Sequence, residues 1–380
     1  MKVLMLSLDD YPHCGGKSTH MSSLIDGLKS LNIDTDVVSR SNLSQSKINL
    51  KKAFIYINKF TNPKKYFYLR KKIEFDLYFE LLKGIQNIDD YDCISCQDAL
   101  ACTAIGRLYK DKKITLTMHT YFGLEYTLDN KILNENDEYY KKLFALEIES
   151  LKYANNVVAV DDRIYDHVKK MSNEYETNNK IYSIINFTNT DLYNTEKDEH
   201  ANFNIMCVRR LVEKNGVVYA AKAMKHIGDN IFLHIYGEGP ELDTIKKIVE
   251  DEELEKKVFL HGKIDNSMLP EVYRKCDVVL VPSITVNGLQ EATSISAIEA
   301  MSCGIPVIAS KIGGLAQMIN NGVNGILVQE KNEIEIAEKI IYLYNNPEIR
   351  NKISKNAREY VLKNHSHICA AKQYLDIFMS

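Results

Sequence analysis

No stretch of this 380-residue chain approaches 18 consecutive apolar residues, so no segment reads as a membrane-spanning helix. The opening run Met1–Asp10 stays apolar for too short a distance to read as a secretory signal, and it meets Asp9 and Asp10 at once. Net charge is close to balanced, at −3, which removes any global attraction to nucleic acid. Paired cysteine motifs are missing as well. Eight cysteines are scattered along the chain, and Cys93-Ile-Ser-Cys96 has CxxC spacing but sits in an apolar, strand-like run with no second pair. That pattern favours structural cysteines over metal or redox ones, and scattered thiols suit a reducing cytoplasm. Two phosphate-loop signatures are also lacking. Gly15-Gly16 belongs to no Gly-x-Gly-x-x-Gly fingerprint, so a dinucleotide site is poorly supported. Gly16-Lys17-Ser18 imitates only the end of a Walker A loop, because Tyr11 stands where the first glycine belongs. Short repeats and low-complexity stretches are absent too.

What is there is the composition of a soluble globular protein, long enough that two domains are expected. Strand-like and helix-like runs alternate from end to end, the pattern of an α/β architecture with parallel sheets. Val3–Ser7, Asp34–Ser39, Cys93–Cys96, Ile114–Met118 and Asn156–Val160 read as strands of a first sheet, and Ser18–Ser30 as a helix. The polar, turn-rich stretch from Asn186 to about His200 reads as a linker. A second series follows: Asn204–Val208, Ile231–Ile235, Lys257–Leu260, Asp277–Val281, Val307–Ala309 and Gly325–Val328. The tail from Glu333 on reads as helical. Two successive Rossmann-like halves facing a cleft are the simplest arrangement of these elements.

The most informative stretch is Glu291-Ala-Thr-Ser-Ile-Ser-Ala-Ile-Glu299, continuing as Ala-Met-Ser-Cys-Gly304-Ile-Pro306-Val. Thr293 or Ser294 can cap a helix whose apolar positions Ile295, Ile298 and Met301 recur at helical spacing. Gly304 ends it and Pro306 prevents its continuation. One carboxylate therefore precedes the helix and the other lies in its second turn. The N–H groups at Ser294 and Ile295, with the positive end of the helix dipole, suit a phosphate. Two acceptors flanking an anion site suit a ligand with hydroxyls on both sides of a diphosphate, as in a nucleotide sugar.

This motif resembles the Glu-x7-Glu signature of glycosyltransferase family 4, in its usual setting of Glu-Ala-Met-x-x-Gly-x-Pro-Val. Other segments resemble the same family. Val208-Arg209-Arg210-Leu211-Val-Glu-Lys214-Asn215-Gly216 is similar to its Gly-Arg-Leu…Lys-Gly segment, with Arg209 where glycine is usual and Asn215 inserted before Gly216. Gly237-Glu-Gly-Pro240 matches its Gly-x-Gly-Pro turn, and Leu260–Lys263 the segment whose backbone meets the base. The resemblance implies a retaining, metal-independent transferase of the GT-B fold with no resident cofactor. It implies that Arg210 and Lys214 neutralise the donor diphosphate, Glu291 holds the donor sugar and Glu299 the ribose. His119, at a strand end, would contact the sugar. Gly15, Gly16, Gly237, Lys263, Ser294 and Ile295 would border the donor. Gln97-Asp98 is similar to a His-Asp element near the acceptor. Ala292-Thr293-Ser294 replaces the usual Pro-Phe-Gly beside the phosphate, which bears on sugar preference.

One further stretch departs from the average. Between Asp36 and Glu74 there is no acidic residue, while ten cations, from Arg40 to Lys72, are interleaved with aromatics such as Phe54, Tyr56 and Phe60. Residues 37–73 therefore read either as a surface for anionic membrane or acceptor, or as a solvated basic loop and helix with its aromatics in the core.

The expected organisation is an acceptor-binding domain over 1–190, a donor-binding domain over 191–360, and a C-terminal helix over 361–380 that returns to the first. The expected partners are a UDP- or GDP-linked sugar and a sugar or lipid-linked acceptor, without nucleic acid. The expected location is the cytoplasm, peripheral on the membrane if the basic stretch meets lipid. The rival readings are an epimerase of the same fold and a non-catalytic nucleotide-sugar-binding protein.

Overall fold

The computed structural model describes residues 1–13, 15–120, 134, 136–288, 290–291 and 293–380. It divides into two compact units, Met1–Ile185 with Ala370–Ser380, and Asn186–Cys369.

The first unit is built on a six-stranded sheet: β1 (Lys2–Ser7), β2 (Asp34–Ser39), β3 (Cys93–Cys96), β4 (Ile114–Met118), β5 (Asn156–Ala159) and β6 (Lys180–Ser183). The order is β2-β1-β3-β4-β5-β6, and each pairing is parallel. β3, β4 and β5 are buried along their whole length, as expected of central parallel strands covered on both faces. Cys93 and Cys96 are part of that buried sheet. β6 has no counterpart in the sequence reading. Lys-Ile-Tyr-Ser is a short edge strand with only partly buried side chains, so it carries no apolar run. The last helix, His367–Met379, is fastened within this unit by Tyr374, whose hydroxyl lies 3.1 Å from Thr117 Oγ1 and 3.2 Å from His20 Nε2. Asn156 Nδ2 also donates to Ile377 O at 2.9 Å.

The second unit holds β7 (Phe203–Val208), β8 (Ile231–Tyr236), β9 (Val258–Gly262), β10 (Val278–Val281), β11 (Val307–Ser310) and β12 (Ile326–Val328). Its parallel sheet runs β12-β11-β10-β7-β8-β9. Read from β9, this is the 3-2-1-4-5-6 winding, whose switch point falls between β7 and β10. Alternate residues feed two cores. Ile205, Cys207, Val278 and Leu280 pack on one face, while Met206, Val279, Val281 and Val307 pack on the other with Ala297, Ile298 and Met301 of the helix Ile295–Ser302.

The stretch joining the two units in sequence is not a loose linker over its first half. Thr188 N–H donates to His365 O at 3.1 Å and His367 N–H to Thr188 O at 2.9 Å. Arg358 donates to Thr190 O and Tyr193 O at 3.1 and 2.8 Å, and Phe187 and Tyr193 are buried. Its backbone groups, with the Asn186 amide donating to Thr293 O at 3.2 Å, serve buried hydrogen bonds.

Candidate functional site

The chain reverses direction across the second sheet where β7 and β10 end side by side. Strand ends diverge there, which leaves a crevice in open α/β folds. The residues just past both strands are polar. Arg209 follows β7 and is buried, 9% exposed. Its guanidinium donates to Ser294 Oγ at 2.6 Å, Asn215 Oδ1 at 2.7 Å and Ser283 Oγ at 3.0 Å. It also pairs with Glu291 Oε2 at 2.9 Å, whose side chain is 17% exposed. Ser283 Oγ donates to the same carboxylate oxygen at 3.4 Å. The Arg209 Nε group is buried without a hydrogen-bond partner among the described residues. A buried guanidinium with one donor unused is costly unless a ligand or water completes it.

Two glycines make this geometry possible. Gly216 has φ 61°, and a Cβ there would sit 2.0 Å from Pro282 O. Gly237 has φ 145°, and its Cβ would meet Arg209 O at 1.9 Å. Only glycine allows the loop after β7 to touch the ends of β10 and β8. The loops after β8 and β9 are joined in turn, since Gly237 N–H donates to Gly262 O at 2.7 Å and the rings of Tyr236 and His261 stack 4.3 Å apart. Lys263, next along, is exposed.

Ser294 stands at the N-cap of the helix Ile295–Ser302, as the sequence reading allows, but its hydroxyl serves Arg209 and Ser296 rather than the helix backbone. Ile295 opens that helix, half-buried. Glu299, in its second turn, is 3% exposed and accepts from the Tyr273 hydroxyl at 3.2 Å. Burial raises its carboxyl to about 7, against the opposing hydrogen bonds of Tyr193 and Tyr273. Arg210 is exposed, and its carbonyl accepts from Asn215 Nδ2 at 2.7 Å. Lys214 is half-buried, with its carbonyl held by Ile284 N–H at 2.9 Å. The second unit thus brings Glu291, Ser294 and the helix N-terminus together, with Arg210 and Lys214 on the adjoining loop and Glu299 beneath.

Arg209, Asn215 and Ser283 are site residues that sequence reasoning did not nominate. The signal was present, because Arg209 and Asn215 are the two departures from the family segment. They explain each other. The added arginine needs an acceptor, and the added asparagine supplies it.

The first unit has its own polar group at the ends of β1, β3 and β4. His119 follows β4, with Nε2 3.0 Å from Gln97 Oε1 and its ring edge-on to His20 at 4.6 Å. Burial, then the charges of His20 and Lys17, hold its pKa well below the ordinary imidazole value, so it is neutral near pH 7. Gln97 also donates to Ser95 Oγ at 3.0 Å. Asp98 is committed to structure, accepting from Ser7 Oγ, Leu8 N–H and Ala101 N–H at 2.8–2.9 Å. Gly15 caps the helix Gly16–Ser30, and Lys17 within it pairs with Asp9 at 2.5 Å. Among the described residues, no three His, Cys, Asp or Glu side chains converge to hold a metal.

Known proteins give the geometry a context. The model for glycosyltransferase family 4 matches residues 14–192, and that for glycosyl transferases group 1 matches 189–360. An uncharacterised glycosyltransferase of Methanocaldococcus jannaschii is 27% identical, with 100% of this chain and 98% of the relative covered. A poly(ribitol-phosphate) alpha-N-acetylglucosaminyltransferase of Staphylococcus aureus is 29% identical over 55% of this chain and 41% of its own length. The crystal structure of Anabaena HepE in complex with UDP-glucose superimposes with a TM-score of 0.69 at 16% identity, covering 100% of this chain and 99% of that one.

Proposed function

This chain belongs to the glycosyltransferases of GT-B type, its halves matched by the family 4 and group 1 models, and we propose that it moves a sugar from a nucleotide-sugar donor to an acceptor hydroxyl. The bond between the anomeric carbon and the diphosphate oxygen breaks, a bond from that carbon to the acceptor oxygen forms, and the acceptor proton leaves with the diphosphate. The observation that carries the reading is the convergence of Glu291, Ser294 and a helix N-terminus at the β7/β10 switch point, beside the exposed Arg210. The helix N–H groups with Arg210 and Lys214 stabilise the diphosphate, most strongly as charge grows on it in the transition state. We assign Glu291 to the donor sugar and Arg209 to holding that carboxylate in place. Glu299 is assigned to the ribose, and His119, Gly15, Gly16, Gly237 and Lys263 to the donor surroundings, on the motif resemblance. Retention of anomeric configuration and independence of a divalent ion belong to the same proposal. The Anabaena structure's UDP-glucose and the Staphylococcus relative's acceptor support a nucleotide sugar and a cell-surface glycan as substrates.

Binding measurements separate the two carboxylates. Glu299→Ala should weaken both free nucleotide and nucleotide sugar, by roughly 1.5–3 kcal/mol for a lost charged hydrogen bond. Glu291→Gln should weaken the nucleotide sugar and spare the nucleotide. Equal effects of the two variants on both ligands would refute the division of roles. Donor binding without nucleoside diphosphate release in the presence of acceptor would point instead to a non-catalytic binding protein.

A further inference from the structure

We propose that the outward face of the helices Gln45–Ile55 and Asn58–Thr61 docks on an anionic lipid bilayer. The four most exposed large hydrophobic side chains among the described residues all fall between Leu50 and Phe60: Phe54 at 80%, Phe60 at 73%, Ile57 at 69% and Leu50 at 64%. Ile48 is buried and Lys52 and Ile55 are half-buried, so the residues spaced 48, 52, 55 face the protein. Lys47, Leu50, Lys51 and Phe54 share the opposite face, where a helix bathed only in water would carry polar residues. Tyr56 and Phe60 meet edge-on at 5.6 Å, with the Lys59 ammonium 5.6 and 6.0 Å from their ring centres.

The structure also sorts nine of the ten cations of this stretch. Lys52, Arg40 and Arg70 surround the buried Glu74 at 2.8, 3.5 and 3.8 Å. Lys64 pairs with Asp137 at 2.8 Å and Lys72 with Asp76 at 2.7 Å. Those serve the fold. Lys47, Lys51, Lys59 and Lys65 are exposed and form no ion pair among the described residues. No acid lies between Val37 and Ile73 to offset them. A second copy of the chain would bring the same four cations against themselves. A continuous anionic surface with an apolar interior matches both the charge and the exposed rings, at roughly 1 kcal/mol per cation. Among the described residues no helix is long and apolar enough to cross a membrane, so the contact is a peripheral one.

The test is partitioning of the full chain onto vesicles of phosphatidylcholine alone and of phosphatidylcholine with phosphatidylglycerol. Binding should favour the anionic vesicles by about tenfold or more and fall as salt rises. Two triple variants should each lose that preference with unchanged thermal unfolding: Lys47→Ser, Lys51→Ser, Lys65→Ser, and Phe54→Ser, Ile57→Ser, Phe60→Ser. Lys52 and Lys64 are left intact because their partners are structural. Equal binding to both vesicles, binding to neither, or retained preference in either variant would overturn the proposal. So would self-association of the parent that the aromatic variant abolishes, since the face would then join copies of the chain.

Discussion

Arg209 and Glu291 form a charge pair with little solvent around it, and such a pair stands or falls together. Removing one member leaves the other buried and uncompensated. A double-mutant cycle of Arg209→Met and Glu291→Gln, followed by denaturant unfolding, should give a coupling energy of roughly 1–3 kcal/mol. Coupling below about 0.5 kcal/mol would show that the two charges act independently. Glu299 makes a different kind of prediction. Its carboxyl lies at about 7 in the fold against an ordinary 4.5, because burial penalises the charge. The folded chain keeps a proton that the unfolded chain has already released, so this group's contribution is complete below 4.5 and is lost as pH rises through about 7. Glu299→Gln should therefore gain melting temperature relative to the parent at about pH 8 but not at about pH 5. A pH-independent difference would mean that the carboxyl is solvated. The Glu291 and Glu299 spacing was legible in the sequence because eight residues along one chain segment fix their relation to one helix. The role of Arg209 was not, since its partners Ser283 and Ser294 lie 74 and 85 residues away.

At the scale of elements, the site depends on loops that must approach strand ends closely. Gly216 is the sharpest case, with a left-handed φ and the Pro282 carbonyl where a side chain would go. Gly216→Ala should cost at least about 1–3 kcal/mol from the backbone conformation alone, and the forced shift should weaken donor binding because Asn215 positions Arg209. Parent-like stability and affinity would show that this loop moves freely. The helix Ile295–Ser302, its start at Ser294 and its end before Gly304 could be read from the sequence, because cap, periodicity and terminator are all local. The central strands could be read as well, since burial on both faces selects mostly apolar runs, with Ser95, Thr115 and Thr117 as buried hydroxyls within β3 and β4. β6 could not, because an edge strand takes its place from backbone pairing with β5 rather than from its side chains. The ion pairs of Lys52 with Glu74 and of Lys64 with Asp137 were hidden for the same reason as Arg209, their partners lying 22 and 73 residues distant.

For the whole molecule, the two units carry the two proposed surfaces on separate parts of the chain. The residues from Arg209 to Glu299 proposed for the donor diphosphate and sugar belong to the second unit, and the cationic, apolar helix face belongs to the first. Each sheet is a parallel core of its own beneath its set of residues. Both sheets also place their polar groups just past strand ends at a change of winding direction, where an α/β fold binds ligands. The topology was legible as alternation of strand and helix. The identity of the sugar was not, because the side chains that meet around Glu291 come from separate loops at Arg209, Asn215, Ser283 and Ser294. The most direct test is release of nucleoside diphosphate from a panel of UDP-, GDP- and ADP-sugars, with and without lipid-linked and glycan acceptors, by the parent and by Arg210→Ala. One donor should be turned over by the parent, with kcat reduced on the order of 10² in Arg210→Ala. Failure of the folded parent to release nucleoside diphosphate from any donor, or a normal kcat in Arg210→Ala, would contradict glycosyl transfer by this site.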